Sequence, residues 1–207
     1  MALLSYTLTT LNRAKSFMEI GGAQDDDLIT SLINMVSDFA ESYCDRRFLE
    51  TAYSNELYDG NAFDKILLKQ YPISSSQTFT LQVRDSADNS GSFTTIPAQD
   101  YFIKYAQGIV QYVNGSFADI PQHYRASYTA GYAFDNDGGG ATLESLSIGD
   151  LEYAIWKLIT AAYKNRRVSP NVISESIGDY SVTFRKQVMI DEELRAILDK
   201  YRRPSGF

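Results

Sequence analysis

The sequence predicts an α+β fold, a small bundle of about four helices interrupted by an inserted antiparallel β-subdomain. Three observations predict it. Apolar residues recur at helical spacing before residue 50 and after residue 150, the stretch between is rich in Tyr, Thr, Val and Ile, and turn dipeptides such as Asp59-Gly60 and Asn114-Gly115 punctuate that stretch. The expected organisation is N-terminal helices over 1–50, a β-rich insertion over 51–140, and C-terminal helices with an extended arm over 141–207. A chain of 207 residues buries enough apolar surface to fold without metals or disulfides.

Thr9 or Thr10 is a good N-cap for a first helix carrying Leu11, Ala14, Phe17 and Met18, which Gly21 and Gly22 should stop. Asp25, Asp26 and Asp27 then favour the N-terminus of a second helix by capping and by charge. Its stripe comprises Leu28, Ile29, Leu32, Ile33, Val36, Phe39, Ala40 and Tyr43, and Arg46 and Arg47 suit its C-terminus. Strands are expected at 53–58, 65–69, 78–84, 93–96, 101–105, 109–113 and 123–130, the spacing of a small antiparallel sheet or barrel. Asp135 to Gly140 reads as a connector. Asp150 should cap a third helix with Leu151, Ala154, Ile155, Leu158 and Ile159, stopping near Pro170. Ser174 to Phe184 alternates as a strand or arm, and Asp191 should cap a last helix bearing Leu194, Ile197, Leu198 and Tyr201 before Pro204. Because the second and third helices each carry one apolar stripe, they should pack on each other.

Composition narrows the function. Cys44 is the only cysteine and His123 the only histidine, which removes an intramolecular disulfide, cysteine zinc sites and histidine clusters. No nucleophile elbow, Walker-type loop or dinucleotide fingerprint accompanies His123, so it is expected to be structural and the protein not an enzyme, with no catalytic residue, metal or cofactor. The Asp135-Asn136-Asp137 run lacks the ligand spacing of a calcium loop. No apolar run is long enough for a membrane span and no basic, apolar leader opens the chain, so a reducing cytosol is expected as the site of synthesis. A formal net charge of -7 argues against general phosphate binding. Tyr101, Tyr105, Tyr112, Tyr124, Tyr128 and Tyr132 could stack on a glycan or base, or could serve the core and subunit contacts. Charge is also uneven: Lys157 to Arg203 holds ten basic and six acidic residues, a local +4 that leaves -11 on the remainder. Opposite poles favour head-to-tail association or docking to a charged partner.

Several segments in order carry a resemblance. They are Leu28–Asn34 (LITSLIN), Phe39–Phe48 (FAESYCDRRF), Tyr128–Tyr132 (YTAGY), Asp150–Ile155 (DLEYAI), Tyr163–Arg167 (YKNRR), Ser174–Ser181 (SESIGDYS) and Ile197–Arg203 (ILDKYRR). Together they resemble the head-tail connector, or adaptor, proteins of tailed bacteriophages from Thr9 to Arg203; the long strand-rich block departs from the compact, mainly helical members. The resemblance implies a structural virion protein at the neck, made in the bacterial cytoplasm. It implies a homo-oligomeric ring, a dodecamer by family, joining the portal protein to a downstream neck or tail completion protein, with DNA passing through without sequence-specific binding. Arg195, Lys200, Tyr201, Arg202 and Arg203 are then the candidate portal interface, their helix offering a basic surface beside an apolar stripe that either anchors in a partner's groove or closes the protein's own bundle. The alternative is a β-rich module of a virion that binds a glycan or host surface through its tyrosines.

Overall fold

The computed structural model describes residues 2–86, 88, 90–134, 148–166, 174–177, 180–183 and 192–203. The expected connector at Asp135 to Gly140, the stop at Pro170, the strand end at Phe184 and the cap at Asp191 lie outside them. The chain divides into two compact units, Met1–Asp45 with Phe134–Arg202 and Arg46–Ala133 with Arg203–Phe207.

The first unit is helical. Helix α1 (Leu11–Met18) starts on Thr10, whose hydroxyl accepts the Arg13 amide, and ends with Glu19 in the left-handed region, two residues before the glycines expected to stop it. Helix α2 (Asp26–Cys44) has Asp25 at its N-cap position without a side-chain cap bond, so the acidic triplet acts there through the helix dipole. Its C-terminus corrects the expectation of basic residues in the last turn: the left-handed residue is Asp45, and Arg46 already belongs to the other unit. Helix α3 (Gly149–Asn165) begins after Ile148, and Asp150 sits inside its first turn rather than capping it. Helix α4 spans Glu192–Tyr201.

Helix α2 packs on α3 as its stripe requires, and α4 contacts both. Ile29, Ile33, Val36 and Ala40 of α2 meet a core that includes Leu151, Ile155, Leu158 and Ile159 of α3 and Leu198 of α4, all buried. The predicted α2 stripe nevertheless splits, since Leu28 and Phe39 face solvent together with Met35. Ser174 to Thr183 forms a two-stranded antiparallel pair, Ser174–Ile177 with Tyr180–Thr183, in place of the single strand or arm expected.

The second unit holds all seven strands expected between the helices: β1 (Thr51–Tyr58), β2 (Lys65–Leu67), β3 (Thr80–Arg84), β4 (Phe93–Thr95), β5 (Tyr101–Lys104), β6 (Ile109–Tyr112) and β7 (Tyr124–Ala130). They form two antiparallel sheets, ordered β1-β7-β3-β4 and β2-β6-β5. Alternation turns Leu81, Tyr124, Ala126 and Tyr128 of the first sheet and Ile66 and Val110 of the second into one core. In β1 two residues oppose one between Tyr53 and Glu56, with Asn55 at φ 54° and its amide donating to the Ser127 hydroxyl. This bulge brings the Glu56 carboxylate into hydrogen-bond reach of two tyrosines.

Candidate functional site

The basic helix α4 is held by its own bundle. Leu194, Leu198 and Tyr201 are buried in it, so of the two roles open to the stripe, entering a partner's groove or closing the protein's own bundle, the second holds. Tyr201 is therefore corrected from a surface contact to an internal one: its hydroxyl donates to Asp150, which also takes Lys200 Nζ at 2.6 Å. Burial pushes the Asp150 carboxyl up, but the Lys200 and Tyr201 hydrogen bonds outweigh it and hold the group below its ordinary value. Tyr43 on α2 donates to Asp199 at 2.8 Å, and that hydrogen bond, which holds the proton on the hydroxyl, raises the phenol. Arg202 lies 5.9 Å from the Tyr43 ring, Arg195 is exposed and Arg203 half-buried. Four of the five candidate residues thus keep a basic group at or near the surface.

Sequence reading missed the polar centre of the bundle. Glu152, only 2% exposed, accepts from Arg13 in a fork, Nε to Oε1 at 2.7 Å and Nη2 to Oε2 at 2.9 Å, and from the Thr9 hydroxyl at 2.9 Å. Trp156 Nε1 donates to the same hydroxyl at 2.8 Å, and Phe17 stacks on Trp156 at 5.2 Å. A carboxylate beside Leu151 and one turn before Ile155 was the available signal, because a charge on a buried stripe demands a partner. Such a satisfied network fixes α1 against α3; it offers no reactive group.

His123 precedes β7 and is 8% exposed, its ring edge-on to Tyr124 at 5.2 Å. Its backbone carbonyl accepts the Arg84 amide, and Nδ1 has no hydrogen-bond partner. No nucleophile or orienting carboxylate engages it among the described residues. The tyrosines needed for a stacking platform are mostly inside: Tyr101, Tyr124 and Tyr128 are buried, and Tyr112 packs on Phe117 at 4.4 Å. Burial raises the Tyr112 phenol to about 12, and burial also pushes up Tyr58 and Tyr128, whose hydroxyls both donate to Glu56 at 2.7 Å. Only Tyr105 of the six is exposed. Among the described residues no group of His, Cys, Asp and Glu is placed to hold a metal ion, and no helix is long and apolar enough to cross a membrane.

What the surface does offer is faces. Besides the α2 stripe, Phe102 of β5, Phe63 just before β2 (62%) and Val113 just after β6 are exposed, and the larger sheet carries Arg84 and Arg125 on one side. Large exposed apolar side chains grouped on one face mark contact surfaces. The class defined is a helical bundle joined to an antiparallel β-subdomain that exposes apolar and basic faces.

The comparisons agree with that class. The chain belongs to the head completion protein family HCP, whose model matches residues 7–204, in accord with the resemblance to head-tail connectors. In fold it is similar to a chain in the neck of an empty gene transfer agent particle computed with C6 symmetry, at TM-score 0.55 and 16% identity over 99% of this chain and 97% of that one. A chain in the virion of a native gene transfer agent particle matches at TM-score 0.52, also with 16% identity and the same coverage. No curated protein matches in sequence.

Proposed function

We propose that the protein is a structural, non-enzymatic component of the virion neck, assembling as a ring, twelvefold by family, that joins the portal to the next neck or tail component around the DNA passage. The observation that carries this reading is the family match over residues 7–204, supported by a fold likeness that spans nearly the whole of a neck chain. The faces fit a ring, since a closed cyclic assembly needs two different complementary surfaces on each subunit. A net charge of -7 fits a channel wall that does not grip passing phosphates.

The portal is met by the basic residues Arg195, Lys200, Arg202 and Arg203, with the buried Tyr201 holding their helix in place. Because α4 supplies Leu194 and Leu198 to the bundle, removing it would unfold the subunit, and charge reversal is the informative change. Arg195→Glu with Arg202→Glu should leave the melting temperature unchanged and abolish co-sedimentation with purified portal rings. Undiminished portal binding by that variant would reject this interface, and a monomer that neither self-associates nor binds portal would reject the connector reading. A glycan-binding module finds no support in tyrosines that lie mostly in the core.

A further inference from the structure

The larger sheet ends on β1, and the bonding pattern of β7 tells which backbone groups of β1 are left over. The Arg84 amide donates to the His123 carbonyl, so Arg125 and Ser127, in step with His123, bond to β3, while Tyr124, Ala126, Tyr128 and Ala130 bond to β1. Their partners Tyr58, Glu56, Tyr53 and Thr51 are thereby engaged on the β7 side. Ala52 and Leu57 alternate with them and turn N–H and C=O to the outer edge, where no described strand lies. The other end strands are blunted: β2 and β4 have three residues each, and β5 has four and finishes on Lys104. Strand β1 has eight residues and no lysine, arginine or proline. Its one guard is the bulge, and Ala52 and Leu57 lie on either side of it.

The strand pair between α3 and α4 has the same want. Strands β8 (Ser174–Ile177) and β9 (Tyr180–Thr183) pair with each other, and among the described residues no third strand joins them. Two strands alone are marginal in water and gain from a third. Only two residues separate Ile177 from Tyr180, so that pair exchanges both backbone bonds, as does Glu175 with Val182; Ser181 and Thr183 of β9 then direct theirs away from β8. Residues 166–173 and 184–191, eight on each side, join the ribbon to α3 and α4, a length of chain that spans up to about 30 Å. Strand β9 has no charged residue, whereas β8 would bring Glu175 to a strand that already holds Glu56.

We propose that β9 of one copy adds to the outer edge of β1 of a second copy, so that the β1-β7-β3-β4 sheet continues into the neighbour's β8–β9 ribbon across the subunit boundary. The inference rests on the ring reading above and names a backbone contact between its subunits. Strand addition draws its affinity from main-chain hydrogen bonds, so it needs no charge match between two copies that are both net acidic. Edge and ribbon are different parts of each copy; the contact is therefore heterologous, repeats head to tail and closes into a ring.

The backbone amides test it. In the assembled wild-type chain the Leu57 amide and the amides of Tyr180–Thr183 should exchange hydrogen at least about tenfold more slowly than in the dilute monomer. Ser181→Pro removes an outward amide of β9, and Ala52→Pro with Leu57→Pro removes both on β1; each change should weaken self-association at least about tenfold in sedimentation velocity. The monomers should melt with the wild type, because proline at an outward amide costs the sheet no bond. Ser181→Thr, and Ala52→Thr with Leu57→Thr, keep every amide and should associate as the wild type does. Wild-type association by Ser181→Pro, or a Leu57 amide that exchanges as fast in the assembly as in the monomer, overturns the strand addition and leaves the ring reading intact. Threonine variants that dissociate as readily as the proline ones assign the contact to side chains and overturn it too. A wild-type chain that remains monomeric at every concentration overturns both readings. Loss of portal binding by Ser181→Pro with self-association unchanged would give the ribbon to the portal and overturn the proposal.

Discussion

Both units set cations on aromatic rings, and they differ in what else those cations meet. In the helical unit the described ion pairs join separate segments: Arg13 to Glu152, Lys15 to Asp26, Arg166 to Asp25 and Lys200 to Asp150. Arg13, Arg166 and Lys200 also lie over aromatic rings, so there a carboxylate and a ring act together, whereas in the β unit Arg46, Lys69 and Arg125 lie on rings without a paired carboxylate. Arg46, 4% exposed, stands 3.7 Å from the Tyr71 ring, 5.1 Å from Phe48 and 5.8 Å from Tyr132, and donates to the Tyr71 carbonyl. Lys69 lies over Tyr58, and Arg84 and Arg125 over Phe93. The contrast follows from composition and geometry. Helices present carboxylates to neighbouring helices at will, whereas strands rich in tyrosine and phenylalanine present π faces, which attract a cation without requiring a second charge to be desolvated.

The largest break in this comparison comes from placing a charge where neither unit has an answer for it. Ile33→Asp or Leu158→Asp buries an unpaired carboxylate at the α2–α3 contact and should cost more than about 4 kcal/mol, read as loss of soluble, cooperatively unfolding protein. Unchanged melting of either variant would show that these stripes are not the core. Next comes the removal of one partner of a buried pair. Arg13→Ala leaves Glu152 enclosed with only the Thr9 hydroxyl and should cost about 3 kcal/mol in urea unfolding, with a shift in the emission of the single tryptophan, Trp156, whose ring Arg13 covers at 5.2 Å.

Arg46→Met sharpens the contrast at smaller cost. The stem's packing is kept and the cation lost, so the β unit should lose about 1–2 kcal/mol, less than the helical unit loses through Arg13. An equal or larger loss would mean that the ring cage outweighs the ion pair. Smallest is the acid limb of Asp150. Its folded carboxyl is held below the ordinary value of 3.8, so its contribution is complete above that pH and disappears as the pH falls through the lowered value. Tyr201→Phe, which removes one of the hydrogen bonds responsible, should flatten the stability profile below pH 3.8 by less than about 1 kcal/mol, measured by acid titration of unfolding.

The elements themselves were legible because each has a local cause. Period-2 runs between glycine and asparagine turns gave every strand between the two pairs of helices, and 3.6-period stripes gave α1 to α4. Strand order was not legible, since β1 pairs with β7 and β7 with β3 through contacts that depend on a shared core rather than on neighbouring residues. Single polar residues also misled where two partners competed. Asp150 has the chemistry of a cap but sits two residues past the cap position and is taken by Lys200 and Tyr201, and Arg46 suits a helix end but finds more to cover it on Tyr71. Of the candidate site, the basic character of α4 was readable, while the inward turn of Tyr201 needed the bundle to be seen. Leu28 and Phe39 were assigned to the core because a helix with apolar residues on two sides does not announce which side is buried.

The root of the β unit carries a consequence for how such a protein can change. Its first and last residues run side by side: Tyr132 donates to the Phe48 carbonyl at 2.7 Å, Glu50 donates to the Tyr132 carbonyl at 3.0 Å, and Leu49 bridges Tyr132. Gly131, at φ +117°, makes this clasp possible, since a Cβ there would come within 2.6 Å of the Leu49 carbonyl oxygen. With its two ends tied to each other, the insert closes its own loop, and the chain-entropy cost of that closure does not rise with whatever lies beyond the clasp. Phe48–Tyr132 is in that sense an exchangeable cassette. Lengthening, shortening or replacing its strands alters the insert's own surface while the helices receive a chain that leaves and returns at the same place, so the character of that surface and the stability of the bundle can be selected separately.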